Sequence, residues 1–144
     1  MTEETMEEFQ ARTRKEFGAM YYDRQGKEIE LMDWGHKCED FDYRIVKTEN
    51  IDRWHVSTVW IGLNMNLFRK GPPIIFETMI FLLDKDNPEK ENDPLHLYQE
   101  RYRTEEEAIR GHEEAMSACR GQLLIEKRIR ELESLGVGKE TDSQ

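Results

Sequence analysis

Glu77 stands alone as a charge in the run Ile74-Ile75-Phe76-Glu77-Thr78-Met79-Ile80-Phe81-Leu82-Leu83. A carboxylate among such neighbours has to be paired, hydrogen-bonded or neutralised. Two readings follow: a ligand-facing carboxylate beside Trp60, usable as an acid or base, or a structural ion pair with Arg101 or Arg103 on a neighbouring strand. His55 could complete a His–Glu dyad, but it falls about five residues from Glu77 along the strand pair. At ~3.3 Å per residue that is ~16 Å, too far for a hydrogen bond. His112 belongs to the inner stripe of a helix and reads as a hydrogen-bonded core histidine. His36 and His96 lack ligand spacing, so no metal or cofactor is expected. No Gly-rich run leads into a helix with Lys-Ser/Thr, which excludes a phosphate loop at Gly62 or Gly71. The sequence assigns no catalytic residue.

Asn64-Met65-Asn66-Leu67-Phe68-Arg69-Lys70 combines two amides, exposed apolar groups and two cations. Function favours loops held by a rigid scaffold, so this segment is the expected contact surface. The residues expected to touch a ligand or partner are Trp60, Asn64, Asn66, Phe68, Arg69, Glu77 and Arg101.

Two strands must position these groups. Arg53–Leu63 and Ile74–Leu83 are rich in β-branched and aromatic residues, and Pro72 and Pro73, lacking N–H donors, belong ahead of the second strand. A loop over about Asn64–Pro73 puts Trp60 near Glu77. One face then carries Val56, Thr58, Trp60, Ile75, Glu77, Met79 and Phe81. The other carries Ser57, Val59, Ile61, Phe76, Thr78, Ile80 and Leu82, is the more apolar, and is assigned to the core. A slip of one residue would exchange the faces.

The chain has 144 residues, 21 Lys+Arg against 31 Asp+Glu, and a net charge of −10. That size supports a core without staples, and that charge argues against direct binding to nucleic-acid phosphate. Cys38 and Cys119 form no CxxC pair and read as two buried thiols in a reducing compartment. No apolar run approaches the ~20 residues needed to span a bilayer, and the acidic start is unlike a signal peptide, so a cytoplasmic protein is expected.

In chain order, Thr2–Phe17 reads as a helix capped at Thr2 or Thr5, with a narrow stripe of Met6, Phe9, Thr13 and Phe17. Met20–Asp23 and Lys27–Glu30 form a small hairpin, Leu31–Cys38 a short helix, Glu39–Asp42 an acidic loop and Tyr43–Glu49 a strand. Asp84–Pro94 is a polar loop, and Leu97–Arg103 is the returning strand. Thr104 opens a long helix through a Thr-x-x-Glu capping box with Glu107. Gly111 and Gly121 each weaken that helix by ~1 kcal/mol relative to Ala, which allows a bend or break near Gly121. Beyond it, Ile125, Ile129 and Leu132 share one side, and 136–144 reads as a disordered tail. The fold class is α+β: an antiparallel sheet of about four or five strands, a long C-terminal helix on one face and an added N-terminal helix. Residues 1–18 form the N-terminal amphipathic helix, 19–120 the core domain, and 121–144 the C-terminal extension and tail.

Val56-Ser57-Thr58-Val59-Trp60-Ile61-Gly62-Leu63, Gly71-Pro72-Pro73-Ile74-Ile75-Phe76-Glu77-Thr78-Met79-Ile80-Phe81 and Tyr102-Arg103-Thr104-Glu105-Glu106-Glu107-Ala108 with Gly111-His112 resemble a family of small uncharacterised proteins. That family is carried by bacteriophages and prophages. The resemblance covers about residues 20–119, includes Met20-Tyr21-Tyr22-Asp23 and Trp34, and brings no assigned activity. Members often carry Asp-His after the Gly-Leu, where this chain has Asn64-Met65.

Three functions are weighed. The first is a non-enzymatic binding protein of phage or prophage origin, acting in the host cytoplasm on a host or phage protein. It would self-assemble through Met6, Phe9, Phe17, Ile125, Ile129 and Leu132, as a homo-oligomer without membrane contact. The second is an anti-defence inhibitor, either an acidic DNA mimic or a sequesterer of a small nucleotide. The third is a small enzyme using Glu77.

Overall fold

The computed structural model describes residues 3–66, 70–83 and 91–136, with the backbone alone for residue 17 and residues 91–97. The fold is α+β. Its order is α1 (Met6–Phe17), α2 (Leu31–Glu39), α3 (Phe41–Arg44), β1 (Ile45–Ile51), β2 (Trp54–Trp60), β3 (Phe76–Leu83), β4 (Glu91–Tyr102) and α4 (Glu105–Ser134). The four strands form one antiparallel sheet in the order β1-β2-β3-β4, and α4 covers one face. No described helix is long and apolar enough to cross a membrane.

Both predicted caps form. Thr5 Oγ1 accepts from Glu8 N–H (3.2 Å) while Glu8 accepts from Thr5 N–H (3.0 Å), a complete capping box at α1. At α4, Thr104 Oγ1 accepts from Glu107 N–H (3.2 Å), but the Glu107 carboxylate turns back to Arg103 N–H (3.1 Å). α4 then runs unbroken through Gly121. Residues 20–30 bend back as expected, held by Ile29 N–H to Tyr21 O (2.9 Å) and Asp23 N–H to Lys27 O (2.8 Å). The acidic loop instead closes into the single turn α3, capped by Asp40 on Tyr43 N–H, which starts β1 later than predicted. β4 begins at Glu91, inside the stretch read as loop.

The register of the central pair corrects the expected one. Trp60 faces Phe76, and Glu77 faces Val59. The cause is at the end of β2, where Ile61 N–H and Gly62 N–H both donate to Ile75 O (2.7 and 3.2 Å). Two residues there oppose one, as in a bulge, and Gly62 takes φ +71°. A Cβ at Gly62 would lie 2.1 Å from the Trp60 ring, so glycine alone fits. This insertion slips the pairing by one residue. The core face of β3 (Phe76, Thr78, Ile80) is the predicted one, whereas β2 presents Trp54, Val56, Thr58 and Trp60 inward.

The core is layered along the strands. Trp54, Val56, Ile80, Ala115, Met116 and Cys119 form one apolar cluster, and Trp60, Ile75, Phe76 and Ala108 form the other. Between them lies a polar layer of Thr58, Thr78 and His112. Arg53 clips α4 to the β1–β2 hairpin through Glu126 (3.1 Å) and stacks over Trp54 (4.1 Å). Cys38 and Cys119 are free thiols, with Cys119 buried and Cys38 half-buried.

Gly111 and Gly121 make opposite predictions. A Cβ at Gly111 would sit 2.0 Å from Tyr102 Oη, whereas one at Gly121 meets nothing within 4 Å. In urea melts, Gly121→Ala should stabilise by about 1 kcal/mol through helix propensity. Gly111→Ala should destabilise by about 1–3 kcal/mol through overpacking.

Candidate functional site

The sheet surface opposite α4 is where Glu77 emerges. Its Oε2 accepts from Arg101 Nε (2.9 Å) and Gln99 Nε2 (2.7 Å), in cross-strand pairs between β3 and β4. Of the two readings, the structural pair with Arg101 is the one formed. His55 shares this surface but faces Phe81, four residues along from Glu77, and its Nδ1 bonds Asn50 Oδ1, so the dyad is absent.

The remaining expected contact residues divide. Trp60 is 1% exposed. It lies on the inner face, donates from Nε1 to Tyr22 O (3.0 Å) and meets Tyr43 edge-on at 5.0 Å. It is a core anchor and no neighbour of Glu77, because the Gly62 bulge reverses the face of β2. Asn64 and Asn66 hold the loop's own shape. Asn64 Oδ1 accepts from Asn66 N–H (3.0 Å) and Ile74 N–H (3.1 Å), and the buried Asn66 donates from Nδ2 to Lys70 O (2.6 Å). Arg101 is exposed. Phe68 and Arg69 lie outside the described residues.

Among the assembly residues, Met6 and Phe9 are exposed on α1, and the Phe17 side chain lies outside the described part. On α4, Ile125 is 56% and Ile129 49% exposed, and Leu132 is half-buried.

A groove of ≈ 400 Å³ runs between α1 and residues 18–31, lined in part by Phe9, Thr13, Met20, Tyr21 and Leu31. Arg14 on α1 bridges to Glu28 across it (2.7 and 3.1 Å). Nothing in the spacing of these residues foretold the groove, since it depends on where α1 docks.

Sequence reasoning found His112 but not its partners. Fully buried, it bonds Thr58 Oγ1 through Nδ1 (2.8 Å) and Glu49 Oε1 through Nε2 (3.0 Å), while Thr58 and Thr78 hydroxyls lie 2.6 Å apart. One directional arrangement satisfies all of them: Thr78 donates to Thr58, Thr58 to Nδ1, and neutral Nε2–H to Glu49. Outward, Glu49 meets Lys47 (3.2 Å), which meets Glu113 (2.5 Å). Burial lowers the His112 pKa, and Glu49 opposes that shift in part. Lys47 holds the Glu49 carboxyl below its usual range. The Tyr102 hydroxyl, pressed against Gly111, lies near enough to Thr78 to feel it, yet makes no well-formed hydrogen bond. It is the one such buried side-chain atom among the described residues.

Among the described residues no three His, Cys, Asp or Glu side chains gather in a metal-holding arrangement. Against protein-family models, curated proteins and solved structures alike, the chain matches none. Its chemistry is therefore read from its own residues.

The His112 network sets a pH dependence. Folding holds the imidazole neutral, so the unfolded chain binds more protons once the pH falls below about 6.5, and stability declines with falling pH. The depressed Glu49 carboxyl adds to the loss below about 4.5. Urea midpoints measured from pH 7.5 to 5 should fall for the wild type and fall less for His112→Gln; equal slopes would remove His112 as the source. His112→Ala should cost about 2–4 kcal/mol at pH 7.5, from the cavity and the stranded hydroxyls.

Proposed function

We propose that this chain is a non-enzymatic interaction protein of phage or prophage origin that self-assembles through its terminal helices and engages a host or phage protein. The observation that supports this most is the run of exposed apolar side chains at the end of α4, with Ile125 and Ile129 on one side of it and Leu124 and Leu135 on another. The sheet-facing side of that helix is buried only as far as Cys119, with Leu123 packed at the margin. Beyond it Leu124, Ile125 and Ile129 stand in solvent, together with Leu135. Exposed apolar side chains that recur on one element are a common mark of an interface. Met6 and Phe9 offer a second, smaller surface on α1.

The Glu77 pair weighs against the enzymatic alternative. Its carboxylate oxygen is engaged by Arg101 and Gln99 on a sheet surface, whereas a general base needs a concave site with a second polar group aimed at substrate. Assignment to phages rests on the resemblance over residues 20–119 alone.

Light scattering coupled to size exclusion tests the assembly. The full chain should elute above monomer mass in a concentration-dependent way. Ile125→Glu combined with Ile129→Glu should return it to monomer. At a dilution where the wild type is monomeric too, the two melts should differ by no more than about 0.5 kcal/mol because both sites are exposed in the single chain. A strict monomer in the wild type at every concentration would remove self-assembly.

A further inference from the structure

Resting on the self-assembly reading, we infer that two copies of this chain join through the C-terminal half of α4 as a parallel helix pair about a two-fold axis. Ala118, Gln122, Ile125, Ile129 and Leu132 follow one another at alternating steps of four and three residues. That is the spacing of the inner positions of a two-helix coil. The first four are exposed and Leu132 is half-buried. At 3.6 residues per turn the stripe lies roughly a quarter of a turn from Ala108, His112, Ala115 and Cys119, which face the sheet. A second helix can therefore dock without touching the core, and the two sheets are carried on opposite outer sides.

Charge fixes the direction. Arg128 flanks Ile129 on one side of the stripe, and Glu133 flanks Leu132 on the other. In a parallel, in-register pair, each flanking residue meets the one five positions further along its partner. Arg128, which in the single chain makes a long exposed contact with Glu131 (3.4 Å), then faces Glu133 of the other copy, giving two equivalent ion pairs, as an isologous interface requires. An antiparallel pair would instead set Arg128 against Arg128. Glu126 stays out of this exchange because Arg53 of its own chain holds it. Three large apolar layers make a modest interface, so the dimer dissociates on dilution.

The test uses the full chain. Ile129→Cys should form a disulfide-linked dimer under mild oxidation that the wild type, with Cys38 and Cys119 alone, does not form. Arg128→Glu and Glu133→Arg should each weaken dimerisation on the order of tenfold, and the double exchange should restore it, because reversing both charges recreates the two pairs. A dimer that persists while Ile129→Cys fails to cross-link, and that ignores the charge exchange, would overturn the parallel pair while leaving self-assembly standing. A monomeric wild type would remove both.

Discussion

His112 reaching between α4 and the centre of the sheet is the contact that fixes how the long helix sits on the strands. Thr58, Thr78 and the imidazole are each fully buried. A buried polar group left without its partner costs about 1–3 kcal/mol. Sliding or turning α4 by one residue would strand the imidazole and take from Thr58 the acceptor of its proton, and would also press a side chain into the space that Tyr102 takes at Gly111. The apolar clusters on either side supply most of the burial, yet Trp, Ile, Phe and Ala tolerate several arrangements of similar area. The polar layer between them removes that freedom.

Much of this was readable where local chemistry decides. Thr5 and Thr104 mark helix starts by hydroxyl caps, and both form. The β-branched run of β3 identifies its own inner face. Glu77 announces that it needs a partner, and of its two candidate arginines Arg101 is the one that meets it. What could not be read is geometry made by the backbone. The bulge at Gly62 adds one residue to one strand, and because side chains alternate along a strand that single insertion moves Trp60 from an expected contact site to the core. Glu49 as the partner of His112 was equally hidden, since the two are 63 residues apart and meet only after β1 and α4 are docked. The strand at Leu97–Arg103 is found as expected, but the earlier start of β4, at Glu91, was not legible because Glu91, Asn92, Asp93 and Pro94 look like loop residues by composition. Ladder pairing with Leu83 and Phe81 overrides that preference.

The polar groups near the core answer to one another. His112 meets Glu49, Glu49 meets Lys47, and Lys47 meets Glu113, in a line that begins buried and ends in solvent. Arg24 similarly joins Tyr43 O (3.0 Å) and Glu105, tying the segment before α2 to the first turn of α4. Such closed lines orient helices on a sheet. A histidine poised for proton transfer needs access to substrate, and this one lies beneath a helix.

The length of α4 then becomes the informative quantity. Its buried residues run from Ala108 to Cys119, about 17 Å at 1.5 Å per residue, which is close to the length of β2 beneath it, about 20 Å from Trp60 to Trp54 at about 3.3 Å per residue. The helix continues to Ser134, roughly another 22 Å, and the Arg53–Glu126 bridge secures only the first part of that extension. An isolated helical end carrying Ile125 and Ile129 outward would gain more from polar residues there if it served only to terminate the domain. Ile125, Ile129 and Leu132, at steps of four and three, cost solubility in a monomer, and the proposed second copy would offset that cost by covering them. On that proposal, the same residues account both for the length by which α4 outruns the sheet and for the apolar groups on the side that the sheet does not use.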